Sequence, residues 1–139
     1  MVTRIVVAIA ALTVSTAVVS AQTKIEKGPI KQTLASNGKQ MFETYCAVCH
    51  GKDAKGTGPA AKALTKTPAD LTRISARNGG TFPDVKVKRF IEGLDEVAAH
   101  GTRDMPMWGE LFRSLDAGDR GFAQIRVQAL NDYLKSLQQ

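Results

Sequence analysis

The chain has 139 residues, which is enough for one domain of ordinary size with its own hydrophobic core. Lys and Arg outnumber Asp and Glu by 19 to 13, which gives a formal net charge of +6. This surplus is modest and spread along the chain, and few aromatic residues accompany it. The composition therefore argues against a nucleic-acid-binding protein and favours acidic partners.

Residues 1–21 are typical of a secretory signal peptide. Residues 1–4 carry one positive charge, residues 5–19 form an apolar run, and short side chains precede Gln22. The apolar run is shorter than the roughly 20 residues that span a bilayer as a helix. We therefore predict cleavage after Ala21 and an exported, periplasmic protein, with an uncleaved membrane anchor as the alternative.

The organisation of the chain changes at residue 36. Residues 22–35 show no clean apolar period, which predicts a flexible leader. From there on, Ser36 or Asn37 can cap a helix whose apolar residues recur at helical spacing over residues 36–49. The sequence thus predicts one domain over residues 36–139 that opens with this helix.

A C-x-x-C-H motif at residues 46–50 holds the only two cysteines of the chain. This spacing is the attachment signal for a c-type haem. The thiols lie one helical turn apart, so both can reach the vinyl groups at one porphyrin edge. A disulfide would close a very small ring, and His100 cannot complete a four-ligand zinc site. We predict one covalent haem c with iron, anchored by Cys46 and Cys49, with His50 as the proximal ligand.

Two methionines are candidates for the second axial ligand. Met105 and Met107 flank Pro106 in a stretch of weak periodicity, and thioether sulfur is a soft ligand that suits haem iron. Because Pro106 favours extended backbone, the two side chains should point to opposite sides, so that only one can bind the iron. His100 is a further candidate, and an open position is the last alternative.

The remaining predicted elements are also helices. Thr81 can cap a helix that has Pro83 in its first turn and ends at Gly93. A short helix over residues 110–115 and a last helix over residues 121–138 follow. These elements predict an all-α domain.

Taken together, these motifs resemble the class I c-type cytochromes. The residues that carry the resemblance, in the order of that family, are Gly38, Phe42, the motif at 46–50, Gly58-Pro59 and Met105-Pro106. The resemblance implies a cytochrome c fold of roughly four to five helices wrapped around one covalently attached haem.

The same resemblance implies roles for individual residues. It favours Met105 as the distal ligand, because several branches of the family place this Met immediately before a Pro; Met107 is the alternative. It implies that the carbonyl of Pro59 accepts a hydrogen bond from Nδ1 of His50 and so orients the ring. It also implies that the first and last helices cross where Gly38 meets Tyr133.

Two filled axial positions leave the iron no vacancy for a substrate. The resemblance therefore implies an electron carrier and not an enzyme, with redox proteins as partners, an unknown donor and acceptor, and no small-molecule substrate. One alternative is a subunit or dedicated donor of a larger respiratory or periplasmic oxidoreductase, with residues 22–35 as a tether to a membrane complex. A ligand-binding or peroxidatic haem protein, which needs a vacant distal site, is less favoured.

Overall fold

The computed structural model describes residues 30–95, 105–115 and 120–139. These residues form helices and loops without a strand, which confirms the all-α prediction. In chain order the elements are α1 (Gly38–Met41), a π-helical turn (Phe42–Cys46), α2 (Ala47–His50), 3₁₀ turns (Ala61–Ala63 and Leu71–Arg73), α3 (Ile74–Arg77), α4 (Asp84–Glu92), α5 (Trp108–Leu115) and α6 (Arg120–Ser136).

Several predictions concern residues outside these ranges. The signal peptide and its cleavage site, the leader up to residue 29, and His100 lie outside the described residues. Among the helices that the structure describes, none combines the length and the apolar character that a membrane crossing requires.

The first helix begins where its cap was predicted. The side chain of Asn37 accepts a hydrogen bond from the backbone N–H of Gln40 at 2.9 Å, which satisfies one of the unpaired donors at the helix start. The side chain of Gln40 in turn accepts from the N–H of Leu34 at 3.2 Å. This second bond ties the preceding segment to the helix.

Helices α1 and α6 cross at Gly38, as predicted. A methyl group on Gly38 would overlap the backbone of Ala129 and lie 3.0 Å from the Cβ atom of Tyr133. The rings of Phe42 and Tyr133 pack beside this crossing with centroids 5.4 Å apart. Glycine is therefore needed here to let the two helix backbones approach.

Aromatic side chains fill the core between the π-helical turn and α5. The ring of Trp108 lies 5.6 Å from that of Tyr45 and 5.9 Å from that of Phe112, measured between centroids. Phe42 and Phe112 are fully buried. Helix α5 begins two residues earlier than predicted, because Trp108 and the glycine after it pack inward at its first turn.

Residues 30–35 differ from the flexible leader that was predicted for them. Thr33 is buried, and the guanidinium of Arg126 donates hydrogen bonds to its backbone oxygen at 2.9 Å and its hydroxyl at 3.0 Å. The hydroxyl of Tyr45 donates to the carbonyl of Lys31 at 2.6 Å. The fold thus includes residues before the predicted boundary at 36. The sequence did not indicate this, because the contacts that hold these residues are polar and produce no periodic pattern of apolar side chains.

Helix α4 begins later than the sequence suggested. The prediction of Thr81 as its cap is wrong: Pro83 occupies the cap position and the helix starts at Asp84. Its end agrees with the prediction, because Gly93 adopts the left-handed conformation at φ 80°. The carboxylate of Asp84 joins α4 to α6 by accepting from the amide of Asn131 at 3.0 Å and the ammonium of Lys135 at 3.1 Å.

Candidate haem site

The C-x-x-C-H motif lies at the junction of the π-helical turn and α2. Cys46 is the last residue of the wide turn, and Cys49 follows in α2. The N–H of Ala47 bonds to the carbonyl of Phe42, five residues earlier, so the turn holds one residue more than an α-helix. The sequence predicted a regular helix here. Wide turns of this kind occur frequently at functional sites.

Both thiols are free and partly buried. Burial raises the pKa of the Cys46 thiol to about 12, with the nearby Cys49 as the smaller cause. The Cys46 thiol is therefore uncharged at neutral pH, because its buried surroundings disfavour the charged thiolate. A thioether is also uncharged, so this position suits covalent attachment of a porphyrin.

His50 is held in the orientation that a metal ligand needs. Its Nδ1 atom lies 3.1 Å from the carbonyl oxygen of Ala69. A carbonyl can only accept, so Nδ1 carries the proton and the Nε2 lone pair is left for iron. Burial lowers the pKa of His50, and the bond to Ala69 opposes this shift to a smaller extent. The imidazole is thereby kept neutral, which is the form that binds a metal.

The partner of His50 differs from the one predicted. Pro59 was expected to provide the orienting carbonyl, and the structure has Ala69 in that place. Pro59 lies exposed in the loop beside the motif, and its predicted role is not confirmed. Ala69 could not be found from the sequence, because the contact uses a backbone oxygen that every residue has.

The glycine-rich loop after the motif is bonded directly to it. Backbone N–H groups in this loop donate to the carbonyls of the motif: Gly56 to His50 at 2.7 Å, Gly58 to Cys49 at 3.0 Å and Ala60 to Val48 at 2.9 Å. Any side chain on Gly58 would overlap the backbone of the motif. The loop therefore keeps close contact with α2 and limits how the motif can move.

A second set of contacts holds the segment that carries Ala69. The N–H of Leu71 donates to the carbonyl of Ala54 at 2.7 Å. The side chain of Gln138, at the end of the chain, donates to the carbonyl of Leu71 and accepts from the N–H of Ser75, both at 2.8 Å. Leu71 itself packs against the core. The glycine-rich loop and the C-terminus thus fix this segment from two sides.

A family model described as "Cytochrome C oxidase, cbb3-type, subunit III" matches residues 33–119, more than half of the chain. The chain belongs to this family. Membership identifies a c-type cytochrome domain and confirms the resemblance to the class I cytochromes. It also implies covalent haem c, which the donor set of two thiols and a neutral imidazole fits. Neither the curated proteins nor the solved structures contain a match.

The two methionines of the cytochrome precede α5. Met105 is 37% exposed and Met107 is 44% exposed, so neither side chain is committed to the protein core. Either sulfur is thus available as a ligand without loss of core packing. The choice of Met105 stays a prediction.

Trp108, the first residue of α5, occupies a different environment from the methionines. Its ring is buried between two aromatic rings of the cytochrome core. It anchors the start of α5 and, through the backbone, the short segment that carries both sulfur atoms.

Proposed function

We propose that this cytochrome is an exported monohaem carrier that passes single electrons between redox partner proteins. The observation that carries the proposal is His50, which follows two attachment thiols and has Nδ1 committed to the carbonyl of Ala69. When bound, the haem supplies a one-electron Fe(III)/Fe(II) couple. The protein's residues hold and orient it, and none of them needs to react with a substrate.

Each of these residues has a separate task. When the haem is bound, Cys46 and Cys49 would hold it through their sulfur atoms, and His50 would supply Nε2 to the iron. Met105 would supply the second protein ligand to the iron, with Met107 as the alternative. Two protein ligands leave no position for dioxygen or peroxide, which separates a carrier from a peroxidatic or gas-binding protein.

The optical spectrum of the haem-loaded cytochrome tests this assignment. We expect low-spin iron, one haem per chain and the weak long-wavelength band of sulfur-to-iron charge transfer. Met105→Ala should lose this band and lower the reduction potential, whereas Met107→Ala serves as the matched control and should retain both. High-spin wild-type iron that binds carbon monoxide readily after reduction would contradict the carrier.

A second candidate function is a subunit or dedicated donor of a larger membrane or periplasmic oxidoreductase. It is supported by the description of the matching family, which names an oxidase subunit. Affinity purification of the cytochrome at low and moderate salt distinguishes the two candidates. A free carrier elutes alone, and a subunit retains haem-containing partners at moderate salt.

Identifying the first residue of the purified protein tests whether the protein is exported and its signal peptide removed. We expect mass spectrometry to find a chain that begins at Gln22 and fractionates with periplasmic proteins. A chain that retains residues 1–21 and sediments with membranes would instead support the anchor.

A further inference from the structure

The side chain of Gln138 lies between helix α6 and the segment that carries Ala69. It follows α6 in the sequence and is half-buried. Its Nε2 atom donates to the carbonyl of Leu134 at 2.7 Å and to the carbonyl of Leu71 at 2.8 Å. Its Oε1 atom accepts from the N–H of Ser75 at 2.8 Å. A carboxamide has two N–H donors and one oxygen acceptor, so both donors and the acceptor are used within the fold.

One of these three bonds belongs to the end of α6. The carbonyl of Leu134 is among the last four of that helix, which have no partner within it, and a side chain beyond the helix end can satisfy such a group. The bonds to Leu71 and Ser75 instead join residues that are 67 and 63 positions apart in the sequence. They connect the end of α6 to a different part of the fold, so a helix cap alone does not explain them.

A backbone contact runs beside this carboxamide. The N–H of Gln139 donates to the carbonyl of Thr72 at 3.0 Å. Residues 71, 72 and 75, which belong to the second 3₁₀ turn and to α3, are therefore each bonded to residue 138 or 139. These bonds fix the position of the 3₁₀ turn relative to α6, and the side chain of Gln138 supplies two of them.

The same 3₁₀ turn sets the direction of the carbonyl of Ala69. Asp70 caps the turn, because its carboxylate accepts from the N–H of Thr72 at 2.9 Å and from the hydroxyl of Thr72 at 2.6 Å. The peptide unit between Ala69 and Asp70 is therefore joined directly to a capped turn. Its oxygen lies 3.1 Å from Nδ1 of His50. A displacement of the turn would move this oxygen relative to the imidazole ring.

We propose that Gln138 is a positioning residue for His50, and that its bond to the carbonyl of Leu71 keeps the carbonyl of Ala69 on Nδ1. This role rests on the proposed function and deepens it, because the contact at Nδ1 influences the reduction potential. A hydrogen bond that Nδ1 donates makes Nε2 a more basic ligand, and a more basic ligand stabilises the oxidised metal. Loss of the bond from Gln138 should thus loosen the contact at Nδ1 and raise the reduction potential.

Two variants of the haem-loaded cytochrome test this role. Gln138→Met has a side chain of similar length without the carboxamide, and Gln138→Glu keeps the acceptor for Ser75 but loses the donor to Leu71. The matched control is Gln128→Met, which removes an exposed carboxamide from α6 whose partners lie on α4 and α6. Potentiometric titration measures the reduction potential of the two Met variants. Nuclear magnetic resonance of the reduced protein measures, in all three variants, how fast the Nδ1 proton of His50 exchanges with water.

In Gln138→Met, we expect the equilibrium with a fixed reference couple to shift about 2- to 5-fold toward Fe(II), the size of effect that one intramolecular hydrogen bond can have. For one electron this corresponds to a rise in reduction potential of about 20–40 mV. The Nδ1 proton should exchange at least about twofold faster in both variants at residue 138, because its acceptor is held less firmly. Gln128→Met should match the wild type in both measurements.

Lower stability of Gln138→Met with an unchanged potential, or a changed potential without faster Nδ1 exchange, would overturn the positioning role and leave a purely structural contact. Wild-type proton exchange in Gln138→Glu would overturn it as well, since the bond to Leu71 would then not be needed; this measurement decides if Gln138→Met does not fold. A wild-type protein without a reversible one-electron couple would contradict the electron carrier itself. A normal couple that does not depend on Gln138 would contradict only the positioning role.

Discussion

At the scale of single residues, burial keeps two groups of the haem motif uncharged. It raises the pKa of Cys46 and lowers the pKa of His50, because a low-dielectric environment disfavours the charged form of each. The two shifts have opposite signs and the same consequence. A neutral imidazole can bind iron without first losing a proton, and a neutral sulfur is the form that a thioether retains.

Asp84 is a residue whose ionised form stabilises the fold. Its pKa is lowered chiefly by the hydrogen bond from Asn131 and next by Lys135. Since the folded pKa lies below the unfolded value, its contribution is present above about pH 4 and is lost as the pH falls through the folded pKa. We expect thermal unfolding midpoints followed by circular dichroism to drop below about pH 4 in the wild type, and to drop less in Asp84→Asn.

The control for this pH dependence is Asp132→Asn, which removes an exposed carboxylate from the same helix that carries Asn131. This variant should follow the wild-type curve. Parallel pH curves for Asp84→Asn and the wild type would show that the contacts between α4 and α6 do not depend on this charge.

At the scale of elements, the crossing of α1 and α6 brings the motif into a defined position. Gly38 lies against the backbone of Ala129, and the helix that starts at Gly38 leads through the π-helical turn to Cys46 and His50. A shift of this crossing would therefore be transmitted along the helical segment to the residues of the attachment motif.

We predict that Gly38→Leu lowers the free energy of unfolding by about 3 kcal/mol, because the added volume separates two packed backbones. Urea unfolding and haem content of the purified protein measure the effect. Lys39→Leu places the same side chain at the next, exposed position and should change stability little. Near wild-type stability and full haem incorporation in Gly38→Leu would be incompatible with the crossing.

At the scale of the whole molecule, both ends of the described chain close the fold. Thr33 accepts two hydrogen bonds from the buried Arg126, and Gln138 binds the segment beside Ala69. The family match begins at residue 33, in agreement with the structural boundary. Thr33, which precedes the predicted domain, therefore takes part in its polar core.

Thr33→Val tests this boundary. It keeps the shape of the side chain and removes the hydroxyl that lies between Arg126 and Tyr45, so we expect a loss of about 1–2 kcal/mol in the free energy of unfolding. Leu34→Ala changes the next, largely exposed residue and is the control for a purely local effect. If residues 30–35 were a flexible leader, neither substitution would change the free energy of unfolding measured by chemical denaturation.

Local features of the site could be predicted from the sequence. The helix end at Gly93 and the attachment motif depend on residues within a few positions of one another, so spacing identifies them, and it narrowed the cap of the first helix to Ser36 or Asn37, of which the structure has Asn37. The bond from Ala69 to His50 could not be predicted, since a backbone carbonyl has no side-chain signature. The wide turn that ends at Cys46 could not be predicted for a related reason: one extra residue in a turn hardly changes the apolar pattern.

By itself, the sequence determined the chemistry of the attachment motif, because two thiols and an imidazole in one short motif are a property of the covalent chain. Only the tertiary structure decided which carbonyl faces Nδ1 of His50 and how far the domain extends toward residue 30. These features depend on contacts between segments that are distant along the chain. Such contacts form only when packing brings the segments together.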